Sequence, residues 1–239
     1  MKDKVVFVSG GTGYLGSAIC RVFHQYGARV LFSYNRNEKE AISLSESMPG
    51  STPVCIDFAN VSQMKQTIEK LYGSHSVIDI LVNNAAVAQI MPLPLIEEED
   101  VDHVMDINIK GNLFLTKYIV KGMIRNKKGS IVNLSSIAGV RILDVPVTYA
   151  MTKAAMNGMT VALAGELKRF GIRVNSVIPG LLEGGVGDGV PEALKKDFVE
   201  HCTLGRAGKA EEVAEVICFL AGDKASYVNG QSICVDGGI

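Results

Sequence analysis

The feature that most constrains this chain is its opening: an apolar run, a glycine-rich turn and a helical pattern in immediate succession. Val5-Val6-Phe7-Val8 is short, unbroken and apolar, as a strand buried on both faces must be. It leads into Ser9-Gly10-Gly11-Thr12-Gly13-Tyr14-Leu15-Gly16. A helix follows over Ser17–Tyr26, with Ala18, Val22 and Phe23 at helical spacing. Gly11-x-Gly13-x-x-Gly16 matches the spacing that lets backbone approach a pyrophosphate at a helix N-terminus. The plain alternative is a tight structural turn.

The rest of the chain repeats the alternation. Strands are expected at Arg29–Phe32, Pro53–Ile56, Ile80–Val82, Ser130–Leu134, Arg173–Val177 and Ser232–Val235, which with the first makes seven. Helices are expected over Glu38–Ser47, Ser62–Leu71, Glu98–Asn126, Tyr149–Lys168 and Glu211–Ala221. Strands separated by helices imply right-handed crossovers, hence an α/β fold with a parallel sheet covered on both faces. No linker or repeat divides the 239 residues, so one domain spans 1–239. The one compositional break is Gly180–Pro191, where Gly184, Gly185, Gly187 and Gly189 interrupt any apolar pattern. It reads as the start of a substrate lid near 181–204, or as a disordered surface loop.

Composition excludes several classes. A formal net charge of -1 argues against nucleic acid as a partner. Five scattered cysteines form no Cys-x-x-Cys pair, so neither a disulfide framework nor a metal site is expected, and a reducing, cytoplasmic setting is the simpler reading. Met1-Lys2-Asp3-Lys4 runs straight into the first strand, and no apolar stretch approaches the ~20 residues that cross a bilayer, so neither a signal peptide nor a membrane is expected.

Two features are candidates for chemistry, although the spacing of the first, taken alone, arises by chance in many helices. Tyr149 and Lys153 stand four apart in a helical pattern, on one face, where an ammonium can favour the phenolate. Moving a phenol from about 10 to about 7 requires roughly 4 kcal/mol of such help. After the second strand comes Ser33-Tyr34-Asn35-Arg36-Asn37, with no acid before Glu38 to take a ribose 2′-hydroxyl. Arg36 suits a 2′-phosphate instead, which favours NADP(H) over NAD(H); an ordinary solvated arginine is the alternative.

Taken in order, these motifs resemble the short-chain dehydrogenase/reductase family, in its compact single-domain branch, from Val5 to the end. Asp57, followed by Phe58, matches the acid that contacts adenine there. Asn83-Asn84-Ala85-Ala86 resembles the family's Asn-Asn-Ala-Gly segment beneath the nucleotide. Asn108 resembles its helix asparagine. Ser136 lies thirteen residues before Tyr149, as the family's catalytic serine does. Pro179-Gly180 and the final Val235-Asp236-Gly237-Gly238 complete the pattern. Three departures stand out. Ser9 and Tyr14 replace a threonine and a glycine of the turn, and Ala86 replaces a glycine. Leu181-Leu182-Glu183-Gly184 lacks the threonine often found near the nicotinamide amide.

The resemblance implies a Rossmann fold with a doubly wound seven-stranded parallel sheet. It implies catalytic roles for Asn108, Ser136, Tyr149 and Lys153: Tyr149 as proton donor, Ser136 orienting the substrate oxygen, Lys153 acting on Tyr149 and the nicotinamide ribose, and Asn108 holding a relay water. Cofactor contacts would come from Gly10, Gly11, Thr12, Gly13, Tyr14, Leu15, Gly16, Asn35, Arg36, Asp57, Phe58, Asn84, Ala85, Ala86, Tyr149, Lys153, Pro179, Gly180 and Leu182. Tyr34–Glu38 and Leu204-Gly205-Arg206 are similar to segments of 3-oxoacyl-(acyl-carrier-protein) reductases. Reduction of a carbonyl to a secondary alcohol is therefore expected, on a 3-oxoacyl thioester borne by the carrier. The alternatives are an NAD(P)-dependent dehydrogenase of a small alcohol, polyol or steroid, and a non-catalytic NADP(H) sensor. Lys117, Lys121, Arg125, Lys127 and Lys128 gather where an acidic carrier could be steered, or simply complement a helix C-terminus. The group's habit implies a homotetramer, or a dimer, through the two long helices.

Overall fold

The computed structural model describes residues 1–74, 77–88 and 91–239. Its strands are β1 (Val5–Val8), β2 (Arg29–Tyr34), β3 (Thr52–Cys55), β4 (Ile80–Asn83), β5 (Gly129–Leu134), β6 (Ile172–Pro179) and β7 (Ser232–Val235). They form one sheet in the order β3-β2-β1-β4-β5-β6-β7, and every pairing is parallel. The helices are α1 (Tyr14–Gln25), α2 (Glu38–Glu46), α3 (Val61–Ser74), α4 (Glu98–Met105), α5 (Asn112–Asn126), α6 (Val147–Leu167), α7 (Glu192–His201) and α8 (Ala210–Ala221).

Strand pleating distributes side chains to two cores. Val6 and Val8 gather with Ile19 and Phe23 of α1 and Val213 and Ile217 of α8. Phe7, between them, faces the opposite layer with Ile68 of α3 and Leu115 and Ile119 of α5. All three β1 residues are fully buried, so a one-residue slip would exchange their faces and lose both packings. The expected seven-stranded, doubly wound architecture is what the chain adopts.

Two elements differ from expectation. The long helix over Glu98–Asn126 is interrupted by a π turn at Asp106–Gly111, a wider turn that inserts one residue into the helical ladder. Gly111 makes room for it: a Cβ there would stand 2.7 Å from the Phe58 carbonyl oxygen. The segment near 181–204 is not an unpatterned loop. A 3-10 turn at Gly185–Gly189 leads into α7, which buries Phe198, and Cys202 after it, with Ile137 and Ile178. Periodicity does not announce α7, because Phe198 is its one buried residue. The remaining differences are end effects: α6 begins at Val147, behind Pro146, and continues as a 3-10 turn at Lys168–Phe170.

Candidate active site

In an all-parallel sheet the C-terminal strand ends share one edge, and the order reverses between β1 and β4. That switch point opens a crevice. The glycine turn lies there, after β1. Gly10 has φ +66 and donates its N–H to Ser33 Oγ at 2.9 Å, while the Gly11 N–H reaches Ser33 O at 2.8 Å. Ser9 Oγ accepts the N–H groups of Asn84 and Ala85, both at 2.8 Å, and Asn84 Nδ2 returns to Ser9 O at 2.9 Å. The turn is thus tied to β2 on one side and to the end of β4 on the other. Ser33, buried at the end of β2, carried no sequence signal for this role.

The glycines of the turn leave its backbone bare and closely packed. A Cβ on Gly11 would stand 2.6 Å from Phe32 Cβ, and one on Gly16 would overlap the Gly10 carbonyl oxygen. Gly13 caps α1 in extended conformation, no side chain caps the helix and no acid stands in its first turn. The N–H groups and the positive end of the helix dipole therefore face the crevice. Thr12 and Leu15 are half-buried within the turn. Asn35 and Arg36 are exposed just past β2, and Arg36 makes no ion pair among the described residues. Asp57 uses one carboxylate oxygen on the Ala59 N–H at 3.0 Å, beside buried Phe58. Ala85 and Ala86 follow β4. At the end of β6, Pro179 pairs in register with Val235, and Gly180 lies so close to Asp236 that a Cβ would stand 2.8 Å from its Cα. Leu182 bridges in parallel to Gly208. These residues fit a dinucleotide with respect to shape, open donors and the free cation.

Next to this crevice stand Ser136 at the end of β5 and Tyr149 and Lys153 on α6. Ser136 accepts the Ala138 N–H at 3.2 Å, opening a 3-10 turn at Ile137–Gly139, and its hydroxyl is hydrogen-bonded to Tyr149. That turn packs on α6 through Gly139, where a Cβ would stand 2.6 Å from Ala154 N. Ser135 Oγ donates to Lys153 O at 2.7 Å, a second tie between β5 and α6. Lys153 Nζ donates to Leu134 O at 3.2 Å and stands 5.7 Å from the Tyr149 ring centroid.

Burial governs the protonation of both groups. It pushes the Tyr149 phenol up, and the hydrogen bond with Ser136 opposes it. It pulls the Lys153 ammonium down to about 8. The depression of Tyr149 expected from Lys153 is not realised here, because Nζ is directed at Leu134 and desolvation outweighs it. The Asn108 side chain ties two separate segments together. Its Nδ2 donates to Val87 O at 2.9 Å and to Thr152 Oγ1 at 3.1 Å, and its Oδ1 accepts the Val87 N–H at 2.8 Å. Both amide donors are committed, so the side chain fastens the loop after β4 to α6, one residue before Lys153.

No cluster of three or more potential metal ligands exists among the described residues, and no helix among them is long and apolar enough to cross a membrane.

The fold and crevice define a dinucleotide-binding oxidoreductase. Residues 13–239 match a family model described as Enoyl-(Acyl carrier protein) reductase. The chain is 38% identical to a 3-oxoacyl-(acyl-carrier-protein) reductase of Thermotoga maritima, covering 100% of this chain and 98% of that protein. It is 36% identical to the reductase of the same name in Rickettsia conorii, with 100% and 98% covered. Among solved structures, a gluconate 5-dehydrogenase from Burkholderia cenocepacia in complex with NADP and tartrate superposes with TM-score 0.93 at 25% identity, covering 99% of this chain and 95% of that one. A 3-oxoacyl-(acyl-carrier-protein) reductase from Brucella melitensis gives 0.92 at 27%, covering 100% and 91%. The chain belongs to the short-chain dehydrogenase/reductase family, and it is an oxidoreductase acting on CH–OH groups or the corresponding carbonyls.

Proposed function

We propose that the protein reduces a 3-oxoacyl thioester to the 3-hydroxyacyl product with NADPH, the acyl chain being carried by an acidic carrier protein. The observation that carries this reading is the meeting of Ser136, Tyr149 and Lys153 beside the glycine turn. The names of the 30–38% identical relatives favour the thioester over a free ketone.

The turn Gly10–Gly16 would hold the pyrophosphate, Asn35 and Arg36 the 2′-phosphate, Asp57 and Phe58 the adenine, and Asn84, Ala85 and Ala86 the nucleotide's underside. Pro179, Gly180 and Leu182 would line the nicotinamide end. When bound, the dinucleotide supplies the reducing equivalent for the carbonyl carbon. Ser136 orients the carbonyl oxygen with its hydroxyl dipole. Tyr149 donates the proton to that oxygen as general acid. A buried Tyr149 is held protonated, which suits a donor in the reductive direction. Lys153 Nζ, 5.7 Å from the Tyr149 ring centroid, would favour the phenolate left behind once it turns from Leu134 O towards the phenol. Asn108 acts as a positioning residue for this part of α6.

The cationic stripe suits an acidic partner. Lys117 lies 5.1 Å over the Phe114 ring and Lys121 5.8 Å over Tyr118, so two of its charges are held over aromatic faces on α5. Exposed Ala154, Ala155, Gly158 and Ala162 on α6 support close approach of a second copy and a homotetramer.

The test is NADPH oxidation with an acetoacetyl thioester, a crotonyl thioester and a panel of free ketones, polyols and steroids. Turnover of the first, reduced at least 100-fold in Tyr149→Phe, is expected. Preference for the crotonyl thioester points to an enoyl reductase, and preference for a free ketone to the small-alcohol class. NADPH binding without turnover of any compound points to a sensor.

A further inference from the structure

Two of the places where this sequence departs from its family meet in space. Tyr14 is the first residue of α1, and its ring lies against Gly184 and Gly185. A Cβ built on Gly184 would stand 2.9 Å from Tyr14 Cε2, and one on Gly185 3.0 Å from Tyr14 Cβ. Gly185 also has φ +73, a conformation other residues resist. The ring thus occupies space that any side chain at these two positions would need. Its hydroxyl is hydrogen-bonded to the backbone of Ala210, the first residue of α8, and the charges of Glu183, Glu211 and Asp188 add to burial in raising its pKa. Asp188 is itself fixed, accepting the Gly185 N–H at 3.0 Å.

One side chain therefore joins the phosphate turn, the root of the 181–204 segment and the start of α8. Nearby, Gly208 donates its N–H to Leu181 O at 2.9 Å and accepts the Glu183 N–H at 3.0 Å, which holds the same root from the other side. Between Gly185 and α7 most of the chain is exposed, Val186 included, while Gly187 is buried and Val190 half-buried. These contacts fix the root of the stretch, while Phe198 and Cys202, buried with Ile137 and Ile178, fix its far end.

We propose that Tyr14 is a positioning residue for the carbonyl substrate: it seats Gly184–Gly185 on the dinucleotide turn, so that the cover of the substrate pocket moves as one body with the cofactor site. The kinetic part rests on the proposed reductase function, while the mechanical part stands without it.

The experiment compares wild type, Tyr14→Ala, Tyr14→Phe and Gly184→Ala. Amide hydrogen exchange is followed on the protein alone, NADPH affinity by fluorescence titration, and KM and kcat with an acetoacetyl thioester. In Tyr14→Ala the amides of residues 184–201 exchange about tenfold faster while β1, β4 and β5 keep their protection. The thioester KM rises about tenfold, a larger change than any loss of NADPH affinity from altering the turn. Tyr14→Phe, which keeps the ring, restores both readouts to within about threefold. Gly184→Ala, which displaces the ring without touching α1, reproduces the faster exchange. Wild-type exchange in both Tyr14→Ala and Gly184→Ala overturns the proposal, as does a uniform loss of protection across the sheet in Tyr14→Ala with none at 184–201 in Gly184→Ala. Absence of thioester turnover in the wild type rejects the proposed reductase function and leaves the exchange result to decide the role of Tyr14.

Discussion

Lys153 is an expensive residue to fold, and replacing it with methionine measures the expense. It is 6% exposed, and its charge is opposed by burial, which brings it down to about 8. An unfolded chain holds the same ammonium near 10.4. At about 1.4 kcal/mol per pH unit, the fold bears roughly 3 kcal/mol for keeping the charge at pH 7. Below pH 8 the lysine is charged in both states and that cost is constant. Between 8 and about 10.4 the unfolded chain binds the extra proton, so wild-type stability from this group rises with pH. Lys153→Met keeps the stem's packing, removes the charge and strands the Leu134 carbonyl, now bonded at 3.2 Å, at a cost of about 1 kcal/mol. The variant is therefore more stable than wild type by about 2 kcal/mol at pH 7, and the advantage shrinks towards zero or reverses by pH 10. Urea unfolding of both proteins at pH 7, 8.5 and 10 reads this directly, because other titrating groups cancel in the difference. A variant less stable at pH 7, or a difference that does not change with pH, refutes the reasoning. The variant is also expected to lose turnover, so the same substitution shows function held against stability.

Arg36→Ser removes the exposed cation expected to meet a 2′-phosphate; kcat/KM for NADPH should fall about thirtyfold, near 2 kcal/mol, with that for NADH nearly unchanged. An unaltered NADPH to NADH ratio rejects the assignment. Arg173 donates through Nη1 to Leu220 O at 2.8 Å and Val228 O at 3.1 Å, and through Nη2 to Ala221 O at 3.3 Å and Gly222 O at 2.9 Å, capping the C-terminus of α8. Arg173→Leu strands these carbonyls and should destabilise the fold by about 2–4 kcal/mol in chemical unfolding, with α8 amides losing protection first.

How much of this could be read in advance depends on how local each constraint is. The glycine turn was legible because Gly10 needs its positive φ and Gly16 its missing Cβ within one turn of chain. The strands were legible because β1, β4 and β5 are buried on both faces and so are written as apolar runs. The pairing of Tyr149 with Lys153 followed from helix geometry, and the crossovers brought Ser136 to it. The π turn was not legible, since it differs from an α turn by one residue whose accommodation depends on Gly111 meeting Phe58. The same holds for Ser33 on Gly10, for Tyr14 on Gly184 and for the inward face of α7. Each is decided by a partner distant in sequence, and nothing in its own neighbourhood announces it.

Below the site, a line of buried amides explains how these separate pieces stay aligned. Asn83 Nδ2 donates to Thr116 Oγ1 and to Asn133 Oδ1, each at 2.8 Å, and Asn133 Nδ2 donates to Thr160 Oγ1 at 2.8 Å. Both threonines donate back into their own helices, to Asn112 O and Met156 O, which leaves their lone pairs free for the asparagines. The proton direction is therefore set along the whole line from α6 through β5 and β4 to α5. Apolar side chains of similar volume could fill this space, but they would tolerate sliding of α6 along the sheet. A stranded buried amide costs about 1–3 kcal/mol, so each such slide carries a penalty. Thr160 lies about three turns along α6 from Tyr149. Fixing its height on the sheet fixes where Tyr149 meets Ser136, and the catalytic contact is thus set from within the core as much as from the crevice.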